Sequence, residues 1–138
     1  MNLAEKEKEI IEDFAIYDDW MEKYEYIIEL GKDLPKIDEA FKVEENIIVG
    51  CQSQVWLHAV KINGLVRFTA EADAIIAKGI ISLLIQVLSN ETPDAIIDSK
   101  LDFIKEIGLQ EHLSPTRSNG LVAMVKKMKI YALALKNK

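Results

Sequence analysis

The chain has 138 residues, 49% of them hydrophobic and 29% charged, enough for one domain with its own core and too apolar for a disordered protein. Its 23 acids outnumber 17 basic residues, which argues against a nucleic-acid binder. One cysteine cannot close an internal disulfide, and the acidic N-terminus has no apolar signal core, so a reducing, cytoplasmic setting is expected.

The charge is uneven. Residues 1–45 hold 15 acids against six lysines, whereas five lysines and no acid follow from Lys126 onward. Lysines late in a terminal helix complement its dipole; a basic face for an acidic protein partner is the other reading. The most apolar run, Ile75 to Leu88, is too short for a bilayer and carries Lys78 and Gln86. No membrane role is expected. No repeat or linker divides the chain, so a single domain over 1–138 is expected.

Residues 3–16 read as a charged helix with Ile10, Ile11 and Phe14 inward. A second helix runs from about Asp19 to Leu30, because Trp20, Tyr24, Ile27 and Ile28 fall at i, i+4, i+7 and i+8 and form one apolar stripe. Gly31 stands where a C-terminal cap belongs, and Pro35 blocks continuation. Then the period changes. Asn46-Ile47-Ile48-Val49 is a short β-branched run that stops at Gly50. From Val55 to Ile62, Val55, Leu57 and Ala59 alternate with Trp56, His58 and Val60, as in a strand. Asn63-Gly64 is a two-residue hairpin signal, and Leu65 to Thr69 supplies the returning strand.

Asp73 is placed to cap a third helix reaching about Leu88, apolar nearly all round and hence buried. Its lone Gly79 is explained by close helix packing. Thr92-Pro93 opens a short helix at 93–98, and another spans Leu101 to Ile107, closed by Gly108. Residues 110–118 read as a polar loop. A last helix starts near Ser118 or Asn119 with Leu121, Met124, Val125, Met128, Ala132 and Leu135 inward. The expected fold is α+β: a three-stranded antiparallel sheet packed against several helices, with Cys51 in the loop joining the first two strands.

Cys51 is the residue most able to carry chemistry. Gly50 lets the backbone bend before it, and the polar run Gln52-Ser53-Gln54 keeps the sulfur near the surface. A reactive cysteine needs a cationic neighbour or a helix N-terminus to yield thiolate, and Gln52 and Gln54 are neutral. His58 lies too far along its strand for direct contact, and His112 could approach only through folding. A partly buried loop cysteine with no role is the bland alternative. One cysteine and two unclustered histidines match no zinc or iron–sulfur spacing. Arg117 sits just ahead of a helix N-terminus, a place that favours anions; serving an anion and clamping its loop through backbone carbonyls are both open to it and do not exclude each other. A small protein with one accessible thiol and no base is poorly equipped for turnover. It is better suited to be the substrate of another enzyme's activated group, as a sulfur carrier or redox relay.

These residues also resemble a known family. Asp19-Trp20, Lys23-Tyr24, Tyr26-Ile27-Ile28-Glu29-Leu30-Gly31, Leu34-Pro35, Asn46, Gly50-Cys51-Gln52-Ser53-Gln54-Val55-Trp56, Lys78-Gly79 and His112-Leu113-Ser114-Pro115-Thr116-Arg117-Ser118-Asn119-Gly120-Leu121 are similar to the SufE family of sulfur acceptors over about 14–130. Asn119 departs from the family's usual glutamine. The resemblance implies a SufE/IscU-like fold and a pyridoxal-phosphate cysteine desulfurase of the SufS type as partner. Cys51 would take sulfur from the partner's persulfide, stimulate it by doing so, and pass the sulfur to a SufBCD-type scaffold complex. Gly50, Gln52, Ser53, Gln54, His112 and Arg117 would support the loop or face the partner. The loop would shield its sulfur in an apolar recess and swing out at Gly50. No bound cofactor is implied, and a monomer or weak homodimer is expected. A CsdE-type acceptor serving another desulfurase is the close alternative; a cluster scaffold is disfavoured by the single cysteine.

Overall fold

The computed structural model describes residues 2–138. Helix α1 (Leu3–Ala15) begins with a capping box in which Asn2 and Glu5 bond reciprocally. Helix α2 (Trp20–Leu30) is capped by Asp19, whose carboxylate accepts from the Glu22 N–H at 2.9 Å. Helical turns at Gly31–Asp33, Glu39–Phe41 and Glu44–Asn46 lead to the hairpin of β1 (Val55–Ile62) and β2 (Leu65–Ala72). Five helices follow: α3 (Ile75–Leu88), α4 (Pro93–Asp98), α5 (Phe103–Glu106), α6 (Leu109–His112) and α7 (Pro115–Leu135).

Asn63 and Gly64 both have positive φ, 55° and 82°, the conformation of a type I′ turn whose twist matches a hairpin. The turn pairs Ile62 with Leu65 and carries the register outward to Val55 opposite Ala72. β2 therefore runs three residues beyond the expected Thr69. The expected alternation holds: Val55, Leu57 and Ala59 are buried, as are Ala72, Ala70 and Phe68 across from them and Val66 further along β2.

The sheet has two strands, not three. The run 47–49 makes only an isolated bridge, Ile47 to Trp56, with the Ile48 N–H donating to the Val55 carbonyl at 2.8 Å. A helical turn ends at Asn46 and the chain bends away at Gly50, leaving too little extended backbone for a ladder. The outer edge of β2 is covered instead. Ala70 exchanges bonds with Pro35 and Ile37, and Val66 with Asn90 and Glu91.

α3 is the buried centre, touching α1, α2, β2 and α7. Its contact with α2 is closer than side chains allow, which is why position 79 is glycine: a Cβ there would stand 2.2 Å from the Ile27 carbonyl oxygen. Ser82 crosses the same seam, its hydroxyl donating to the Leu30 carbonyl at 2.9 Å. Three helix starts differ from expectation, the first being α6, whose turn at Leu109–His112 enters the stretch 110–118 expected as a loop because Gly108 at positive φ restarts the helix there. Asp73 does not cap α3, which begins after Ala74 without a side-chain cap. α7 begins at Pro115 rather than near Ser118, because Ser114 caps it and proline takes the first turn.

The glycine seam gives a direct test. Gly79→Ala drives a methyl into backbone that cannot recede, so denaturant unfolding should show a loss of about 3 kcal/mol, the upper end for overpacking. A loss below about 0.5 kcal/mol, the scale of neutral surface changes, would contradict so close a contact.

Candidate functional site

The hairpin register sets the base of the Cys51 loop. Gln54 and Asp73 are the first residues beyond the β1–β2 ladder, and they face each other. The Gln54 N–H donates to the Asp73 carboxylate at 3.0 Å, and the Asp73 N–H returns a bond to the Gln54 carbonyl at 3.1 Å. With the Ile48–Val55 bond, this closes the loop at its neck and leaves Val49 to Ser53 to project. Gly50 turns the chain at φ 108°, a conformation strained for any side chain, and a Cβ there would press the Ala123 methyl at 3.2 Å. Val49 beside it is 89% exposed.

Cys51 is half-buried against the first turns of α7. Its thiol donates to the Gly120 carbonyl at 3.6 Å, and a Cβ on Gly120 would lie 3.5 Å from the sulfur. Burial pushes the thiol pKa up. The sulfur meets a carbonyl oxygen rather than the free N–H groups of the helix end, an environment that favours S–H over S⁻. Next to it lies a recess of about 270 Å³, walled by Ile76, Ala77, Ile80 and Met124 and edged by Gln52, Ser53 and Arg117. The thiol is sheltered and unactivated.

Neither histidine acts on it. His58 stacks face to face on Phe41, ring centroids 3.9 Å apart, and burial holds its pKa below the usual imidazole value. His112 stacks on Trp20 at 4.6 Å, and its Nδ1–H donates to the Gly108 carbonyl at 2.8 Å. Arg117 lies within α7, not ahead of it. Its guanidinium stands 5.9 Å from the centre of the Tyr24 ring, within cation–π range. It clamps no backbone carbonyl among the described residues. Trp20 and Tyr24 of α2 thus carry His112 and Arg117, and only Arg117 of the pair borders the recess beside Cys51.

Sequence reasoning missed the braces behind the loop. Asn46 is only 7% exposed; its amide donates to the Phe41 carbonyl at 2.7 Å, and its oxygen accepts from the Tyr131 hydroxyl, which also lies 3.0 Å from the Leu57 carbonyl. α7 therefore holds the segment before Cys51 through Tyr131 and the thiol itself through Gly120. The Asp73 brace had a signal, since the Asn63-Gly64 turn fixes which residue faces Gln54. Asn46 stands among the family-like residues, but nothing in the sequence pairs it with Tyr131, 85 residues away. Among the described residues no three His, Cys, Asp or Glu side chains gather to hold a metal, and no helix is long and apolar enough to cross a membrane.

Residues 8–132 match the family described as SufE, Fe-S metabolism associated domain. An uncharacterized SufE-like protein of Rhizobium meliloti is 42% identical over 127 residues, which cover 88% of this chain and 90% of that protein. One of Rhizobium etli is 39% identical over 127 residues, covering 88% and 85%. The solution structure of a hypothetical protein from Thermus thermophilus superposes with a TM-score of 0.81, covering 96% of this chain and 97% of that one at 23% identity. That likeness is one of α+β fold.

The buried thiol has a measurable consequence. Alkylation of native Cys51 by iodoacetamide should rise with pH through a midpoint above that of the same chain unfolded in guanidinium. Gly50→Ala, which unseats the loop from Ala123, should bring the two midpoints together. A native midpoint at or below the unfolded one would contradict the sheltered seat.

Proposed function

The chain belongs to the SufE family, and on that footing we propose that it is a sulfur acceptor of iron–sulfur metabolism, with Cys51 as the accepting atom. The observation that carries the reading is a lone thiol, sheltered and without a base, on a loop tied at its neck and held at its tip by one weak bond to Gly120. Such a thiol is built to be presented to another protein's chemistry. The donor is a cysteine desulfurase of the SufS type bearing a persulfide on its own cysteine.

In the transfer Cys51 gives up its proton, and its thiolate attacks the outer sulfur of that persulfide. A new S–S bond forms on Cys51, the S–S bond on the desulfurase breaks, and the desulfurase cysteine leaves as thiolate. No external oxidant or reductant is needed. The proton leaves readily only once the sulfur quits its apolar seat, so docking supplies the activation that this chain lacks. Gly50 is the pivot, Gln52 and Ser53 travel with the thiol, and Gln54 stays paired to Asp73 at the neck. Arg117 stays on α7 at the edge of the neighbouring recess, where a guanidinium would face the partner, while His112 supports the surface through Trp20. Cys51 then hands its sulfur to a SufBCD-type scaffold in the reducing cytoplasm. The protein is a carrier and activator, not a stand-alone enzyme, acting as a monomer or weak homodimer. A cluster scaffold would need several ligands, and Cys51 is the sole cysteine.

Desulfurase turnover tests the proposal. Wild-type protein should raise the rate at which a SufS-type enzyme consumes cysteine, by draining its persulfide, while Cys51→Ser should leave the basal rate. Equal stimulation by Cys51→Ser would remove sulfur acceptance as the cause. Stimulation of a different desulfurase and not of a SufS-type one would overturn the partner assignment and keep the chemistry.

A further inference from the structure

The last helix has a second face that the Cys51 loop does not use. Successive helical residues are about 100° apart. Gly120, Ala123 and Met124 turn toward the loop and its recess, whereas Val122, Lys129 and Leu133 lie on the far side of α7, roughly 140° or more from Gly120 by the same spacing. Along that side runs an apolar groove of about 530 Å³, walled by α7 and by the segment from α4 to α6. A volume of this order matches occupied binding clefts.

Two features mark the groove as more than ordinary surface. Val122, Ile130 and Leu133 line it while 53%, 50% and 62% exposed; single exposed apolar residues are common, but three along one groove are a patch. Its charged lining is all of one sign. Lys100, Lys126 and Lys129 border it and no acid does. Lys129 bonds the Ser99 carbonyl, while Lys100 and Lys126 have no ion-pair partner among the described residues. Asp94 on α4 is taken up by Lys136 at 2.9 Å.

We infer that this groove docks an acidic amphipathic helix of a partner protein, whose apolar residues at i, i+4 and i+7 enter it while flanking carboxylates meet the three lysines. The walls are helical and offer no free strand edge, so an added β-strand has nothing to pair with. A concave groove with three exposed apolar residues suits the apolar face of a helix and not the phosphate backbone of a nucleic acid. Because the groove and the Cys51 seat lie across α7 from each other, an acidic partner can remain bound while the thiol loop is engaged elsewhere. The inference stands independently of what Cys51 does.

The probe is a synthetic helical peptide with leucines at i, i+4 and i+7 and glutamates elsewhere, compared with an analogue carrying lysines in place of the glutamates. Methyl NMR shifts of the full chain are the readout. The acidic peptide should move Val122, Val125, Ile130 and Leu133 and leave Val49 still, and the basic one should move none of them. Lys100→Glu combined with Lys126→Glu should weaken binding by about tenfold or more, as like charges now face each other. Circular dichroism checks that the double variant folds, and Lys126→Glu alone serves in its place if it does not. Equal shifts from both peptides, an affinity indifferent to the reversals, or shifts centred on the Cys51 loop would overturn the inference. So would groove shifts that follow protein concentration without peptide, the mark of a second copy, or shifts produced by phosphatidylglycerol vesicles and not by the peptide.

Discussion

The two-residue turn at Asn63-Gly64 places the thiol. Both residues sit at positive φ, which fixes the hairpin register, and the register puts Gln54 opposite Asp73 at the end of the ladder. A slip of β2 by one residue would send Val66, Phe68 and Ala70 to solvent and part the two ends of the Cys51 loop. The hairpin is thus a rigid stem, and α7 is the wall against which its loop leans.

What holds the loop down is weak because of its chemistry. Sulfur is a poor hydrogen-bond donor and the Gly120 carbonyl lies 3.6 Å away, so the bond contributes less than the ~1 kcal/mol of an ordinary one. Val49 at the tip faces water. Displacing Val49 to Ser53 leaves the neck bonds and the core behind them intact, so an open state costs little beyond unseating one half-buried side chain. A partner that binds the open loop better than the closed one needs to supply only that difference. Shelter and access are therefore compatible, as the proposed transfer requires: a thiol seated at rest can be released by contact.

Much of this is legible in the sequence, for local reasons. The stripe of α2, the hairpin and the all-round apolar α3 follow from period and turn chemistry that neighbouring residues decide, and Gly79 is readable as a packing contact. The errors arise where a local signal has two uses. Asp73 looks like a helix cap but spends its carboxylate on the loop neck. Ser114-Pro115 carries a cap and first-turn signal inside a stretch whose polar composition reads as loop. The run 47–49 has strand composition but is hemmed between a helical turn and Gly50. At the site, Cys51 and Gly50 stand out by residue type, whereas the places of His112 and Arg117 depend on Trp20 and Tyr24, which only folding brings near.

α7 ties the account together. One side seats the thiol and braces Asn46 through Tyr131; the other side presents a lysine-edged groove. The most direct test of the central claim is intact mass spectrometry after incubating the protein with a SufS-type desulfurase and free cysteine. One added sulfur on wild type, removed by thiol reductant and absent from Cys51→Ser, is the expected result; the reductant step separates a persulfide from a sulfinic acid of nearly equal mass, which resists it. An active desulfurase that leaves wild-type protein unmodified, or that adds the same sulfur to Cys51→Ser, would contradict it.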